Sequence, residues 1–211
     1  MNLKQLHQVI DAALREVLTN EGFRHTAPGT WNRRRGEELN VIELQKRSSE
    51  NLFCVNLGIH YAFLPKAGMA APLDDADRIS ILDCDLKLRL TQQATLNDQW
   101  WPMEASSAEQ VADLVRSRGL PIFDSYRLDG PIAAMDAHTV ESGHASLLAT
   151  MTDVGACLLL ARMHEHLGNQ DKAGAAADLG LKLAGRMAVS PKRALRDISE
   201  RSKRSPSSEV S

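Results

Sequence analysis

The sequence is short of the features that usually announce a chemistry. Aromatic residues make up 4% of it. None of them interleaves with the one basic run, Lys192-Arg193, Arg196, Arg201 and Lys203-Arg204. Base-stacking partners are therefore missing where a nucleic-acid contact would need them, and we expect no nucleic-acid partner. Cysteine is scarce: Cys54, Cys84 and Cys157 are scattered, with no Cys-x-x-Cys. That excludes a disulfide framework and a cysteine-rich zinc site, and suggests reduced, buried thiols. Neither sign of charge dominates, since the formal net charge is -2 and the pI is near 6.4. A global pull toward polyanions or anionic membrane is excluded. Long apolar runs are missing too. The most apolar stretch, 145–161, is interrupted by Thr150, Thr152 and Asp153, so no membrane span is expected. The opening Met-Asn-Leu-Lys-Gln-Leu-His lacks the apolar centre of a signal peptide, and we expect a cytoplasmic protein. No phosphate loop, dinucleotide fingerprint or nucleophile elbow occurs, and no cofactor is expected.

What is present is periodicity. In 52–63, Phe53, Val55, Leu57, Ile59, Tyr61 and Phe63 alternate with Cys54, Asn56, Gly58, His60 and Ala62. A strand sends successive side chains to opposite faces, so one face is greasy and the other small and polar. Shorter strands are expected at 31–35 and 39–47, joined by polar, turn-prone residues. Alternation returns in 81–91, where Leu82, Cys84, Leu86, Leu88 and Leu90 share one side. Residues 3–20 carry Leu3, Leu6, Ile10, Leu14 and Leu18 at helical spacing, and Pro28-Gly29 marks a turn. Residues 64–78 read as a loop. A second helix contains Val111, Leu114 and Val115, and Gly119 is expected to stop it. The fold class expected is α+β: a four-stranded, mainly antiparallel sheet packed on helices over residues 1–128. Residues 129–143 follow as a linker, residues 144–201 as a C-terminal helical hairpin region, and residues 202–211 as a disordered tail.

The order Gly22-Phe23, Trp31-x-Arg33, Val41-Ile42-x-Leu44-Gln45-Lys46, Phe53-x-Val55-Asn56-Leu57-Gly58, Cys84, Arg89 and Trp100 resembles a bacterial family. It is the family of domain of unknown function 4304, and the likeness covers about 3–125. The resemblance implies a small cytoplasmic α+β domain and carries over no catalytic residue. Residues 156–184, with Leu158-Leu159-x-Ala161, Leu167-Gly168-Asn169 and Leu181-x-Leu183-Ala184, resemble a single tetratricopeptide-like hairpin. Such hairpins stack because one cannot bury its own apolar face. No second copy is found.

Candidate site residues come from the outward side of the strands. Arg33, Gln45, Asn56, His60 and Arg89 are expected to share one polar surface, joined by Glu43, Asp83 and Asp85. That surface is either a shallow binding face or the solvated side of an antiparallel sheet. Metal binding is not expected: His164 and His166 stand two apart on a helix and point in different directions. Asp74-Asp75-x-Asp77 resembles a fragment of a calcium loop without its glycine and terminal glutamate. Cys54 and His60 lie six residues apart on one strand, about 20 Å, and cannot form a nucleophile–base pair. Of Trp100 and Trp101, one ring is expected to cap the core and the other to stay half exposed. These residues suggest a non-catalytic protein-binding or accessory module, toxin-neutralising or regulatory, with a protein partner. The alternative is an enzyme or small-ligand binder using the polar sheet face.

Overall fold

The computed structural model describes residues 2–48, 50–65, 78–93, 98–186 and 188–204. It divides into two compact units, Met1–Ser125 and Tyr126–Ser211.

The first unit is α+β. Helix α1 (Leu3–Asn20) starts at a reciprocal cap. The Asn2 side chain accepts from the Gln5 N–H, and Gln5 Oε1 accepts from the Asn2 N–H, both at 2.9 Å. Its buried stripe is Leu6, Ile10, Leu14 and Leu18, four residues apart and therefore on one side. Strands β1 (Arg24–Ala27), β2 (Thr30–Arg35), β3 (Glu38–Lys46), β4 (Leu52–Tyr61) and β5 (Leu86–Arg89) form an antiparallel meander in that order. A two-residue strand, β6 (Trp101–Pro102), pairs with Leu52 and Phe53 of β4. The sheet is thus wider than the four strands expected. Strand β1 escaped notice because Arg-His-Thr-Ala has no apolar alternation, and β6 because two residues carry no period.

The register fixes two faces. Trp31, Ile42, Leu44, Phe53, Val55, Leu57, Ile59 and Leu86 lie on one, all buried. We call it the helix face, because Trp31 Nε1 reaches across to Asp11 of α1 at 3.3 Å. Each such side chain contributes about 1.5–3 kcal/mol of transfer free energy. Helix α2 (Ala105–Leu114) packs beside α1. Gly119 does not stop it. A π-helical turn, Val115–Gly119, carries the chain into α3 (Leu120–Ser125), where Pro121 occupies the first turn that tolerates it.

The strand expected over 81–91 is only half formed. Residues Ile81–Asp83 make a 3₁₀ turn, held by Asp83 Oδ2, which accepts from both the N–H and the hydroxyl of Ser80 at 2.9 Å. The turn reverses the phase: Ile81 points inward, while Leu82 is 73% exposed. Residues 66–77, which hold most of the expected loop and the Asp74-Asp75-x-Asp77 fragment, lie outside the described residues.

The second unit is helical. Short helices α4 (Pro131–Ala134) and α5 (Ala137–Glu141) occupy the stretch expected as linker. They precede α6 (Asp153–His166), α7 (Gln170–Leu183) and α8 (Val189–Arg204). Helices α6, α7 and α8 pack on one another, and α5 packs on α6 and α7. The apolar face of the α6–α7 pair is therefore closed by α8 rather than by a second hairpin. Its core includes Cys157, Leu160, Met163, Ala173, Ala177, Leu195 and Ile198. His164 is buried with Nε2 2.7 Å from the carbonyl oxygen of Met135, a structural histidine rather than a ligand. The expected tail begins inside α8; residues 205–211 lie outside the described residues. Among the described residues no helix is long and apolar enough to cross a membrane.

Candidate functional site

The five residues expected on one surface separate onto two. Arg33 pairs with Asn40 across β2 and β3, and Asn40 pairs with Ile59, which sets Arg33 on the helix face. There it is 4% exposed. Its guanidinium lies 4.6 Å from the Phe23 ring centroid and 5.5 Å from that of Phe123. Nε and Nη2 both donate to Asn40 Oδ1, at 3.0 and 2.9 Å, and Nη1 reaches the carbonyl oxygen and carboxylate of Glu21 at 3.3 Å. Burial, with Arg35 beside it, pulls its pKa down to about 10, so it stays charged at neutral pH. Four of its five N–H donors are used inside the fold. Arg33 is a core strut rather than part of an open surface. Sequence could not show this, because Asn32-Arg33-Arg34-Arg35 is polar throughout and gives no phase.

Gln45, Asn56, His60 and Arg89 do share the other face, with Leu39, Val41, Glu43, Cys54, Gly58 and Lys87. That face is not uniformly open. Over half of it the chain folds back as residues 79–85. Leu39, Val41, Ile79 and Cys84 form a small buried cluster, with Ala62 packed against it. Contact is closest at Gly58, where an added Cβ would stand 2.5 Å from Cys84 Sγ and 2.8 Å from Ile81 Cδ1. Glycine inside a strand is the residue that admits such an approach. Polar groups pin the returning segment. Asn32 Nδ2 donates to the Ile79 carbonyl at 2.9 Å, the Ile81 N–H donates to Glu43 Oε2 at 3.4 Å, and Cys84 Sγ donates to the Ser80 carbonyl at 3.4 Å.

His60 lies under this cover. It is 0% exposed, with Nδ1 2.6 Å from Asp85 Oδ2. A carboxylate-oriented imidazole has the look of a general base, but no substrate reaches a ring without accessible surface. Its Nε2 is buried with no partner among the described residues. Nor do the thiols of this face supply a nucleophile among the described residues. Cys54 donates to the carbonyl and Oε1 of Gln45, at 3.5 and 3.8 Å. Burial, reinforced by Asp85, drives the Cys84 thiol far above the ordinary thiol range, so no thiolate forms there at neutral pH. Among the described residues no group of three or more His, Cys, Asp or Glu is placed to hold a metal ion.

The other half of the face, where β3 ends and β4 begins, is different. Asn56 Nδ2 donates to Gln45 Oε1 at 3.1 Å, across the strand pair that the register sets diagonal. Beside them, the Arg89 and Arg47 guanidiniums lie 5.0 and 5.4 Å from the Trp100 ring centroid. The indole N–H donates to Asp98 Oδ2 at 2.7 Å, and Arg89 Nε pairs with Asp98 Oδ1 at 3.2 Å. Arg89 is largely buried, and its Nη1 finds no acceptor among the described residues. Trp100 is half-buried, while Trp101 is 3% exposed against Phe53. The corner thus presents two guanidiniums on one indole and an amide pair. Arginine and tryptophan are the residues that carry most energy at interfaces. Arg47 and Trp100 were outside the predicted site residues. The signal for them was the Trp-Trp pair followed by proline, with Arg47 at the end of a strand whose partner starts opposite.

No curated protein and no solved structure matches the chain. The family model described as Domain of unknown function (DUF4304) matches residues 14–125, ending at the residue that closes the first unit and starting later than the resemblance over 3–125. The match spans more than half of the 211 residues, and the chain belongs to the DUF4304 family.

Proposed function

We propose that the protein is a non-catalytic binding module of the cytoplasm that holds an acidic segment of a protein partner at the Trp100 corner. The observation carrying this reading is the stacking of Arg47 and Arg89 on one half-buried indole. A partner carboxylate would exchange with Asp98 and Glu50, the exposed acids that now face Arg89 and Arg47. Gln45 and Asn56 would supply neutral hydrogen bonds alongside. The buried His60 and the depth of Cys84 argue against chemistry on the same face. Three buried free thiols fit a reducing compartment. The α6–α7 pair, tetratricopeptide-like in its sequence, serves in this reading as an accessory helical element. A regulatory or toxin-neutralising role is the biological form such a module takes.

Affinity capture with the full chain tests the proposal. A partner retained by the wild type should be lost from an Arg89→Gln/Trp100→Ala variant and released by soluble oligoglutamate but not by oligolysine. A partner retained equally by both proteins places the interface elsewhere.

A further inference from the structure

The second unit carries a local charge that the chain as a whole does not. From Leu179 to Arg196 the sequence holds Lys182, Arg186, Lys192, Arg193 and Arg196 and no acidic residue, although the formal net charge of the chain is -2. This stretch is the end of α7, the connection after it and the first two turns of α8. Lys182, Arg186, Arg193 and Arg196 are exposed. Acids elsewhere in the unit are engaged by other cations. Glu165 pairs with Arg201, Asp178 with Lys203 and Glu200 with Arg204. Lys182 is held by Glu141 at 3.2 Å, and the exposed Asp197 closes the cationic run.

Two large apolar side chains stand among these cations. Val189 is 73% exposed and Leu183 43% exposed. The packing of α8 sets the phase: Leu195 and Ile198 are buried, and Val189, Arg193 and Arg196, spaced four and three apart, share a stripe on the outer side. Exposed apolar groups ringed by cations match a lipid surface with anionic headgroups, where the hydrocarbon enters the headgroup boundary and the charges stay at its level. A nucleic acid would use the charges alone, and no aromatic residue lies in 179–196 for a base to stack on.

We infer that the α7–α8 corner is a reversible contact for an anionic lipid surface, with Leu183 and Val189 entering the headgroup region and Arg186, Arg193 and Arg196 meeting its anions. The full chain is sedimented at low salt with vesicles of phosphatidylcholine alone, or of phosphatidylcholine and phosphatidylserine at about two to one. It should bind the anionic vesicles about tenfold or more tightly than the neutral ones, and salt should release it. Arg193→Gln should weaken that binding about fivefold, and Val189→Asp about tenfold or more. Arg196→Gln repeats the charge test if Arg193→Gln does not fold. Arg116→Gln, an equal change of charge on an exposed residue of the first unit, should leave binding unchanged. No binding to the anionic vesicles, or equal binding to both kinds, overturns the inference. A loss that Arg116→Gln shares with Arg193→Gln also overturns it. So does full binding by Val189→Asp, because charge alone would then act, as it would for a soluble polyanion.

Discussion

Replacing Gly58 with alanine tests whether residues 79–85 are packed onto the sheet as tightly as the geometry requires. The added methyl meets Cys84 Sγ at 2.5 Å, Ile81 Cδ1 at 2.8 Å and Cys84 Cβ at 3.2 Å. The Ile81 methyl is the end of a flexible side chain and can rotate away. The sulfur cannot move far, because Cys84 is 2% exposed and its Sγ donates to the Ser80 carbonyl. Overpacking of this kind costs about 1–3 kcal/mol. All three tryptophans, Trp31, Trp100 and Trp101, lie in the first unit, so urea unfolding followed by indole fluorescence reports that unit alone. With a slope of roughly 2 kcal/mol/M, the midpoint should fall by about 0.5–1.5 M. Cys84→Ala removes the closest atom and costs about 1 kcal/mol by itself. In that background Gly58→Ala should cost less, leaving a coupling of at least about 0.5 kcal/mol. A neutral Gly58→Ala, or costs that simply add, would show that the segment does not lie against Gly58.

Three further outcomes follow from the same contacts. Arg33→Ala strips both donors from the buried Asn40 Oδ1 and removes the guanidinium that lies over the Phe23 and Phe123 rings. It should cost about 2–4 kcal/mol in the fluorescence-monitored urea transition, and Arg33→Lys should recover less than half, because an ammonium has no fork. Burial raises the Glu43 pKa above its ordinary value. Protonated Glu43 therefore favours the folded state, and this contribution is full below the unfolded pKa and lost as pH rises through the folded one. Glu43→Gln should be more stable than wild type at pH 7, with the difference shrinking to nothing in acid; a variant less stable at pH 7 contradicts the burial. The Cys54, Cys84 and Cys157 thiols are all buried. They should react with an aromatic disulfide reagent only as fast as urea opens the fold, and one rapid thiol in native protein would refute the inert reading of these groups.

The sequence made the skeleton of the first unit legible where side chains alternate strongly. Residues 52–63 announced β4, and the leucine stripe announced α1, because a period survives without any knowledge of neighbours. Phase failed where composition was uniform. Four polar residues from Asn32 to Arg35 gave no hint that Arg33 faces the helices. The leucines of 81–91 suggested one continuous strand, although the 3₁₀ turn from Ser80 to Asp83 puts Leu82 in solvent. The polar reading of the second face came from side-chain identity alone. A returning segment that brings Asp85 to His60 from 25 residues away, anchored also by Asn32 and Glu43, leaves no local periodic trace in β4. Glycine mid-strand at Gly58 is the residue that admits such a close approach, a signal the alternation alone did not use. The site inherits the same limits. Gln45, Asn56 and Arg89 were placed on one face by alternation, as the register has them, His60 was placed beside them but lies beneath the cover, and Arg47 joined the half-exposed Trp100 only once the fold brought them to one corner.

The central claim is that the second sheet face is divided, with a covered core at Gly58 and His60 and a binding corner at Trp100. Amide and side-chain shift mapping of the full chain with an oligoglutamate peptide at low salt reads both halves at once. Shifts are expected at Gln45, Arg47, Asn56, Arg89 and the Trp100 indole, with Leu39, His60 and Cys84 unmoved. Shifts centred on His60 and Cys84, with the Trp100 corner unmoved, would contradict it.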